Sequence, residues 1–545
     1  MRDWEAVEYT QPSFPHQADW HSPFSLNKRL GPRGRAVRSF RLPAYTKALP
    51  LLVGVVAAVL MFVRLFVPHP VGMANNGDGA RLMCQIGADA DALPKATAKW
   101  YFVRLNYQAL TPGTVCQNYP STQTLVVRIT SWIHQHVLGL PGVIDARELA
   151  VEYCVLVGIV LGVFAYLLRS LRPLPRAALL CGLFLVLSEA VFADYAASPF
   201  STPIALDGIL VVAVAGLAFV SDNRVRYRKA AYLAAWAGAI LAVGALNETA
   251  TLIIPLGLFL GTRRFEIKRL TWRFASRIVP ALCVLSLALT AAWSLSNEVP
   301  IDKRVNFANE VTLSIMPLTN DPSAVATGLG LPASWGKYSG SSWWSKYSMA
   351  NDPRYPEYQS KFTDGNLGHF LAEHPVLAAR VFAGGAGPYL SFRETNLGTY
   401  PANAGYAPES QECRDCLLQD VSHSLEWTGF TGVALYWLAC IAAAGYLWRT
   451  SRPGTRRRAV ALTSATLIGC VLAQYVTAVY GEGVEVVKHL SIGLFAASLT
   501  PIWLGVGALT ESRGRWSRSV KAESESELSA GDRRRSRSAP SRASA

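Results

Sequence analysis

The chain has 545 residues and a formal net charge of +15, yet 51% of its residues are hydrophobic and only 16% are charged. Soluble proteins carry about 25% charged residues, so this composition argues against a soluble protein. The mean hydropathy of +0.22 indicates an integral membrane protein instead.

Ten apolar segments along the chain are predicted to cross the membrane as helices. The first, 48–67, is as long as the span of about 20 residues that a hydrocarbon layer of roughly 30 Å requires. It is too long, and too far from the N-terminus, for a cleaved signal peptide. The pair at 230–262 is predicted to form either two spans or a re-entrant hairpin, because its second member is short and contains Pro255. The spans after the first are predicted at about 148–168, 177–193, 204–221, 230–246, 249–262, 278–296, 428–448, 459–480 and 489–509.

Arginine and lysine are concentrated in alternate connecting segments, such as "RSLRPLPR" (169–176) and "SDNRVRYRK" (221–229), whereas the opposite short loops contain almost none. Because positively charged loops stay in the cytoplasm, we expect both termini to be cytoplasmic. Two large loops, about 69–147 and 297–427, are then extracytoplasmic. The basic segments face an anionic lipid leaflet, which explains the net charge without a nucleic-acid partner.

The domain organisation follows from this topology. We predict a cytoplasmic N-terminal segment (1–47), a polytopic membrane domain (48–510) and a cytoplasmic tail (511–545). The tail is rich in Ser, Arg and Glu and is predicted to be disordered. The preference for Arg over Lys, together with the Ala, Val and Leu content, is typical of a high-GC bacterium. The predicted location is therefore a bacterial plasma membrane, which the chain crosses several times.

Four of the nine cysteines lie outside the predicted spans, and all four fall in the two extracytoplasmic loops. Cys84 and Cys116 belong to the first loop, and Cys413 and Cys416 to the second. An even number of cysteines on one side of the membrane favours a disulfide in each loop. The Cys-Arg-Asp-Cys sequence of the second loop also fits a redox or metal motif, although no second ligand pair accompanies it.

Polar residues at a membrane boundary are costly, so each cluster of them is a candidate site. Three clusters lie at extracytoplasmic ends of predicted spans. They contain Asp78 and Arg81 after the first span, Asp194, Tyr195 and Ser198 in the corner 193–203, and Glu482, Glu485, Lys488 and His489 before the last span. Glu248 would belong to a fourth cluster if 230–262 forms a hairpin. Each cluster also has a structural explanation. Asp78 can shape a turn, the corner is rich in proline, and Lys488 can extend its ammonium group to the interface.

Taken together, the three clusters supply the groups needed to transfer a group from a phosphate-bearing lipid. A carboxylate can deprotonate an incoming hydroxyl, and a cation can bind the phosphate and stabilise it as it leaves. The sequence contains no GxSxG elbow, P-loop, HExxH motif or Rossmann glycine fingerprint that would indicate another chemistry.

Three short motifs make residues 48–510 resemble the GT-C superfamily of polytopic glycosyltransferases, and more closely a group of bacterial glycan-biosynthesis hexose transferases. The "GD…R" element of that group matches Gly77-Asp78…Arg81. Its "SFYxEP" corner matches Ser198–Pro203 in part, with Thr202 at the acidic position. Its "D…KHL" element matches Glu485…Lys488-His489-Leu490, with glutamate in place of aspartate.

The resemblance implies an all-α, GT-C-like membrane enzyme of about ten transmembrane helices. Its implied reaction moves a hexose from a polyprenyl-phosphate donor to a cell-envelope glycan or lipid acceptor on the extracytoplasmic face. Asp78 would be the catalytic base, and Arg81 and Lys488 would contact the donor phosphate. We expect His489 and Glu485 to orient these cations.

Tyr195 and Ser198 are the remaining residues predicted to contact substrate. We assign no metal ligands, although a divalent metal could assist.

In the second loop, Trp335, Trp343 and Trp344 would stack on sugar rings if the loop covers the acceptor, or form an ordinary loop core. Two other functions fit the sequence: a transporter or flippase of envelope precursors, and a non-catalytic envelope-assembly protein.

Overall fold

The computed structural model describes residues 45–74, 77–90, 101–221, 225–263 and 275–510. The tail 511–545, nearly all of the N-terminal segment 1–47 and most of the basic connection before residue 275 lie outside the described residues. The described residues from Thr46 onward belong to one compact unit, and most of them are helical.

The helices and strands are defined in chain order as follows. The α-helices are α1 (Tyr45–Phe66), α2 (Asp78–Cys84), α3 (Gln123–Trp132), α4 (Ala146–Leu167), α5 (Pro173–Ser188), α6 (Ala190–Ala193), α7 (Thr202–Ser221), α8 (Val225–Val243), α9 (Ile253–Gly261), α10 (Ala275–Ser296), α11 (Pro300–Asn309), α12 (Pro322–Gly328), α13 (Tyr355–Tyr358), α14 (Asp364–Glu373), α15 (Pro375–Gly384), α16 (Ala386–Ser391), α17 (Leu417–Ser424), α18 (Gly429–Thr450), α19 (Arg456–Gly481) and α20 (Val486–Thr510). The strands are β1 (Gly72–Met73), β2 (Ala88–Ala90), β3 (Asn106–Ala109), β4 (Ile144–Asp145) and β5 (Leu397–Thr399).

Within the described residues, seven helices are long and apolar enough to cross a membrane. They are α1, α4, α7, α10, the continuous segment of α17 and α18, α19 and α20. The predicted all-α membrane protein is therefore confirmed. Three further predicted spans coincide with α8 and with two shorter apolar helices, α5 and Glu248–Gly261. The total of ten spans stays a prediction.

The last of these short helices is broken, because Glu248–Leu252 is a 3₁₀ helix that continues as α9. Pro255 has no backbone N–H to donate four residues back, so it fits the first turn of an α-helix better than its interior. The α-helix accordingly begins just before this proline.

Close approach between small residues packs the helices in pairs. A Cβ atom at Gly54 of α1 would lie 2.7 Å from the carbonyl oxygen of Gly158 in α4. One at Gly208 of α7 would lie 2.4 Å from the carbonyl oxygen of Gly238 in α8. Small side chains let backbones meet in this way inside a membrane, which explains the glycines at these four positions.

A buried ion cluster joins the end of α1 to two distant parts of the chain. Arg64 Nη2 donates to Asp194 Oδ1 at 2.8 Å and to Glu412 Oε1 at 2.5 Å. Arg393 Nη2 donates to the other oxygen of Asp194 at 2.8 Å. The cluster brings the C-terminal end of α1, the segment before α7 and the segment before α17 to the same end of the helix bundle.

The two large loops are folded and joined to each other at this end. Strand β1 of the first loop pairs antiparallel with β5 of the second, and β2, β3 and β4 form a second antiparallel sheet. A disulfide joins Cys84 to Cys116 in the first loop, and another joins Cys413 to Cys416 in the second.

The second loop has its own aromatic core. Trp335 is fully buried and packs edge-on against Tyr338, Tyr358 and Phe362. Of the two alternatives for this residue, stacking on a sugar and an ordinary loop core, the packing agrees with the loop core.

Candidate active site

Asp78 and Lys488 lie 410 positions apart in the chain and form an ion pair. Asp78 is the first residue of α2. Gly77 precedes it with a φ of 111°, a conformation that glycine adopts without steric cost. Lys488 lies in the first turn of α20, and its Nζ contacts Asp78 Oδ2 and donates to Glu485 Oε2 at 2.7 Å. The first and third predicted clusters therefore form one site.

Arg81 is the second cation on Asp78. Its Nη2 donates to Asp78 Oδ1 at 2.5 Å, and its Nη1 donates to Asp302 Oδ2 at 2.6 Å. The guanidinium carbon also lies 5.3 Å from the centroid of the Tyr119 ring. One turn of helix separates Arg81 from Asp78, so the pair forms within α2, and α11 supplies the second carboxylate.

The two cations set the ionisation of the Asp78 carboxyl. Burial alone would raise its pKa, but the charges of Lys488 and Arg81 outweigh burial and hold the pKa well below its ordinary value. Asp78 is therefore a carboxylate throughout the neutral range. As a base it is weak for as long as both cations remain in contact with it.

A polar cavity of about 460 Å³ opens beside this ion pair. Asp78, Arg81, Glu485 and His489 line it, and their contact with substrate stays a prediction. Lys488 does not line it, because its side chain is 2% exposed and lies behind the two carboxylates that it binds. Lys488 therefore does not face the cavity, and its predicted contact with a donor phosphate stays a prediction.

Tyr195 and Ser198 are not part of the cavity lining, and both are fully buried. The Ser198 hydroxyl accepts a hydrogen bond of 2.5 Å from the backbone N–H of Met73. It thus fixes β1 just before the segment that leads to Asp78. The structure gives Ser198 a structural role, and because neither side chain lines the cavity, the predicted substrate contact of these two residues stays a prediction.

A second group of ligand-type side chains lies in the same cavity. Glu248, Glu482 and His489 offer carboxylate and imidazole atoms that all lie within 4.8 Å of one another. Glu482 is 6% exposed, and burial followed by the nearby Glu485 and Glu248 carboxylates raises the pKa of Glu482 to about 8. His489 lies close to this carboxylate pair, and its predicted role in orienting a phosphate-binding cation stays a prediction.

The described lining of the cavity is strongly acidic. Arg81 is its only lysine or arginine, whereas six of its residues carry carboxyl groups. These are Asp78, Glu248, Glu298, Asp302, Glu482 and Glu485. From the sequence, Asp78 and Glu485 have predicted roles, whereas Glu248 and Glu482 are members of candidate clusters without a predicted role. Glu248 and Glu482 each follow an apolar segment, and this was the available signal for both.

The polar cavity continues into apolar grooves. A neighbouring groove of about 820 Å³ shares Asn247, Glu248, Glu298 and Asn306 with the cavity. It shares Thr251, Ile254, Val476 and Thr477 in turn with a groove of about 530 Å³ between α9 and α19. A series of pockets thus leads from the acidic site along two apolar helices.

Two aromatic side chains from the second loop, Trp343 and Trp344, also line the cavity. Trp344 is 66% exposed, and the ring of Trp343 packs edge-on against Tyr355 with the centroids 5.5 Å apart. A flat ring at the edge of a polar cavity is suited to contact with the face of a sugar.

Comparison with known proteins places the chain in a family. No curated protein and no solved structure matches it. A family model described as the YfdI N-terminal transmembrane domain matches residues 37–525. This match covers most of the chain and all of the helices that contribute to the cavity. The chain therefore belongs to the YfdI N-terminal transmembrane domain family.

Proposed function

We propose that this protein is a membrane glycosyltransferase that moves a hexose from a polyprenyl-phosphate donor to a cell-envelope glycan or lipid. The observation that carries the proposal is the position of Asp78. This carboxylate is held by two cations at the edge of a polar cavity, and the cavity continues into apolar grooves along α9 and α19.

The shape of the pocket series fits an amphipathic donor. A phosphate and its sugar would occupy the polar cavity, where Arg81 offers a planar group of donors suited to phosphate oxygens. The prenyl chain would lie along the groove, whose wall includes the exposed side chains Ile254, Leu258 and Val476. Burial of apolar chain there contributes about 0.8 kcal/mol per CH₂ group.

The proposed reaction is a single displacement at the anomeric carbon. Asp78 accepts the proton of the acceptor hydroxyl while that oxygen forms a bond to the anomeric carbon. The bond between the anomeric carbon and the phosphate oxygen breaks, and its electron pair stays on the phosphate. Arg81 stabilises the added negative charge of the leaving polyprenyl phosphate. The configuration at the anomeric carbon is inverted.

Donor binding would make Asp78 a stronger base. Arg81 divides its hydrogen bonds between the carboxylates of Asp78 and Asp302. A donor phosphate competes for the same guanidinium group, so its arrival draws Arg81 away from Asp78. The pKa of Asp78 then rises, and the base becomes stronger only when the donor is present. Lys488 stays behind Asp78 and positions it.

The aromatic edge of the cavity suits sugar recognition, and Trp343 and Trp344 are the residues we assign to it.

The positive-inside rule, applied to the charged loops, supports an extracytoplasmic location for the cavity. Transfer would then take place on the outer side of a bacterial plasma membrane, with both termini of the chain in the cytoplasm.

A transfer assay with the purified full chain in lipid nanodiscs tests the proposal. A panel of radiolabelled polyprenyl-phosphate hexoses serves as donors, and a membrane extract serves as the source of acceptors. We expect at least one donor to release polyprenyl phosphate and to label an acceptor with inverted anomeric configuration. Binding and turnover of no donor in the panel would overturn the proposal.

A further inference from the structure

We propose that Glu248, Glu482 and His489 bind a divalent metal ion in the cavity. Their candidate ligand atoms lie within 4.8 Å of one another. Ligands at about 2.0–2.2 Å from one ion lie at most about 4.4 Å apart, so small side-chain movements complete the site. Two carboxylates and an imidazole favour manganese or zinc over calcium.

Two buried polar atoms that lack hydrogen-bond partners among the described residues support the metal site independently of the ligand distances. His489 is 3% exposed, and its Nδ1 has no hydrogen-bond partner among the described residues. The Oε2 atom of Glu248 is buried in the same way. The His489 Nε2 lies 3.6 Å from Glu482 Oε2, which is too long for a hydrogen bond. A buried polar atom without a partner is costly, and an ion would provide one for this cluster.

The local backbone keeps Glu482 in place. A Cβ atom at Gly483 would lie 2.3 Å from the carbonyl group of Asn309 at the end of α11. The link between α19 and α20 therefore lies directly against α11, and a side chain at this position would displace it. Glu482 and His489 flank this link, and Glu248 approaches them from the 3₁₀ turn before α9.

A divalent ion at this site would offset the negative charge of the cavity lining. Among the described residues, six carboxyl groups and a single arginine line the cavity, so an anionic ligand would meet a repulsive lining. A divalent cation held by two of these carboxylates and His489 leaves coordination positions open toward the cavity, as catalytic sites do. Its role toward a donor phosphate rests on the proposed function, whereas the metal binding itself does not.

Metal binding is tested on the full chain in nanodiscs, with Mn²⁺ followed by electron paramagnetic resonance and Zn²⁺ followed by equilibrium dialysis. We expect saturable binding of one ion per chain. The variants Glu482→Gln and His489→Gln should each weaken it by about tenfold or more, as changes around metal sites commonly do. Glu298→Gln removes a carboxylate from the same cavity but outside the cluster, and serves as the charge-matched control.

The proposal is overturned if neither ion binds stoichiometrically, or if both ligand variants bind like the wild type. Equal weakening in Glu298→Gln would also overturn it, because the effect would then be general electrostatics. Monodispersity and unfolding temperature establish that each variant is folded. Failure of metal binding with transfer intact leaves the proposed function standing, and the reverse result leaves the metal site standing.

Discussion

The ammonium group of Lys488 is buried against the carboxylate of Asp78 and does not line the cavity. The lysine therefore controls the charge and position of the proposed base, and Arg81 is the cation that can meet a ligand. The two cations act differently because one faces protein and the other faces the cavity.

Replacing Lys488 with Met should make turnover depend on pH. Without this cation the pKa of Asp78 rises, because only Arg81 is left to oppose the effect of burial. A group with a raised pKa gains its proton as pH falls, so the base is lost at the acidic end of the range. We expect turnover of the variant to fall at a higher pH than turnover of the wild type, because the depressed pKa keeps wild-type Asp78 ionised to lower pH.

The matched control is Lys303→Met, which removes a lysine paired with Glu298 at 3.4 Å and not with Asp78. It should keep the wild-type dependence on pH. Superimposable pH profiles of turnover for Lys488→Met and the wild type would show that Lys488 does not set the ionisation of Asp78.

Filling the groove between α9 and α19 should raise KM for a long-chain donor more than KM for a short-chain donor. Ala473 lines this groove, and Ala473→Phe would occupy part of its volume. We expect KM for a long-chain donor to rise while KM for a water-soluble short-chain analogue changes little. The measurement is the ratio of the two KM values. Ala442→Phe, on an exposed position of α18, is the control, and equal changes for both donors would exclude the groove as the site of the prenyl chain.

Removal of the Arg64 side chain should destabilise the protein strongly. Arg64→Met leaves Asp194 and Glu412 buried without their shared cation. Breaking a buried ion pair in this way costs about 3–5 kcal/mol. Adding Glu412→Gln should recover part of the loss in thermal unfolding, because Arg393 still pairs with Asp194 and the buried carboxylate that loses the close Arg64 partner is then gone. Identical unfolding of Arg64→Met and the wild type would contradict the buried cluster.

The disulfide between Cys84 and Cys116 should stabilise the first loop. It closes a sequence separation of 32 residues, for which chain entropy in the unfolded state predicts about 3–4 kcal/mol. We expect the double variant Cys84→Ser/Cys116→Ser to unfold at a lower temperature and to lose activity, since Cys84 ends the helix that Asp78 begins. The free cysteine Cys181 provides the control, Cys181→Ser. Unchanged unfolding of the double variant would contradict this role.

The fold and part of the site followed from local features of the sequence. Apolar runs located the helices to within a few residues, because hydropathy acts over each segment separately. Asp78 and Arg81 were recognisable because charged residues directly after a span are costly. The burial of Lys488 and the meeting of Glu248 with Glu482 depend on how distant segments pack, which no local pattern specifies. The hydrogen bond between Ser198 and Met73 is of the same kind, since the two residues come from different parts of the chain.

The most direct test of base catalysis is the turnover of Asp78→Asn in nanodiscs, measured together with donor binding. The amide keeps the size of the side chain but cannot accept the proton. We expect turnover to fall by about 10²- to 10⁴-fold, the usual contribution of a general base, while the donor still binds through Arg81 and the groove. Turnover equal to that of the wild type would show that Asp78 only shapes the start of α2, and the proposed mechanism would be wrong.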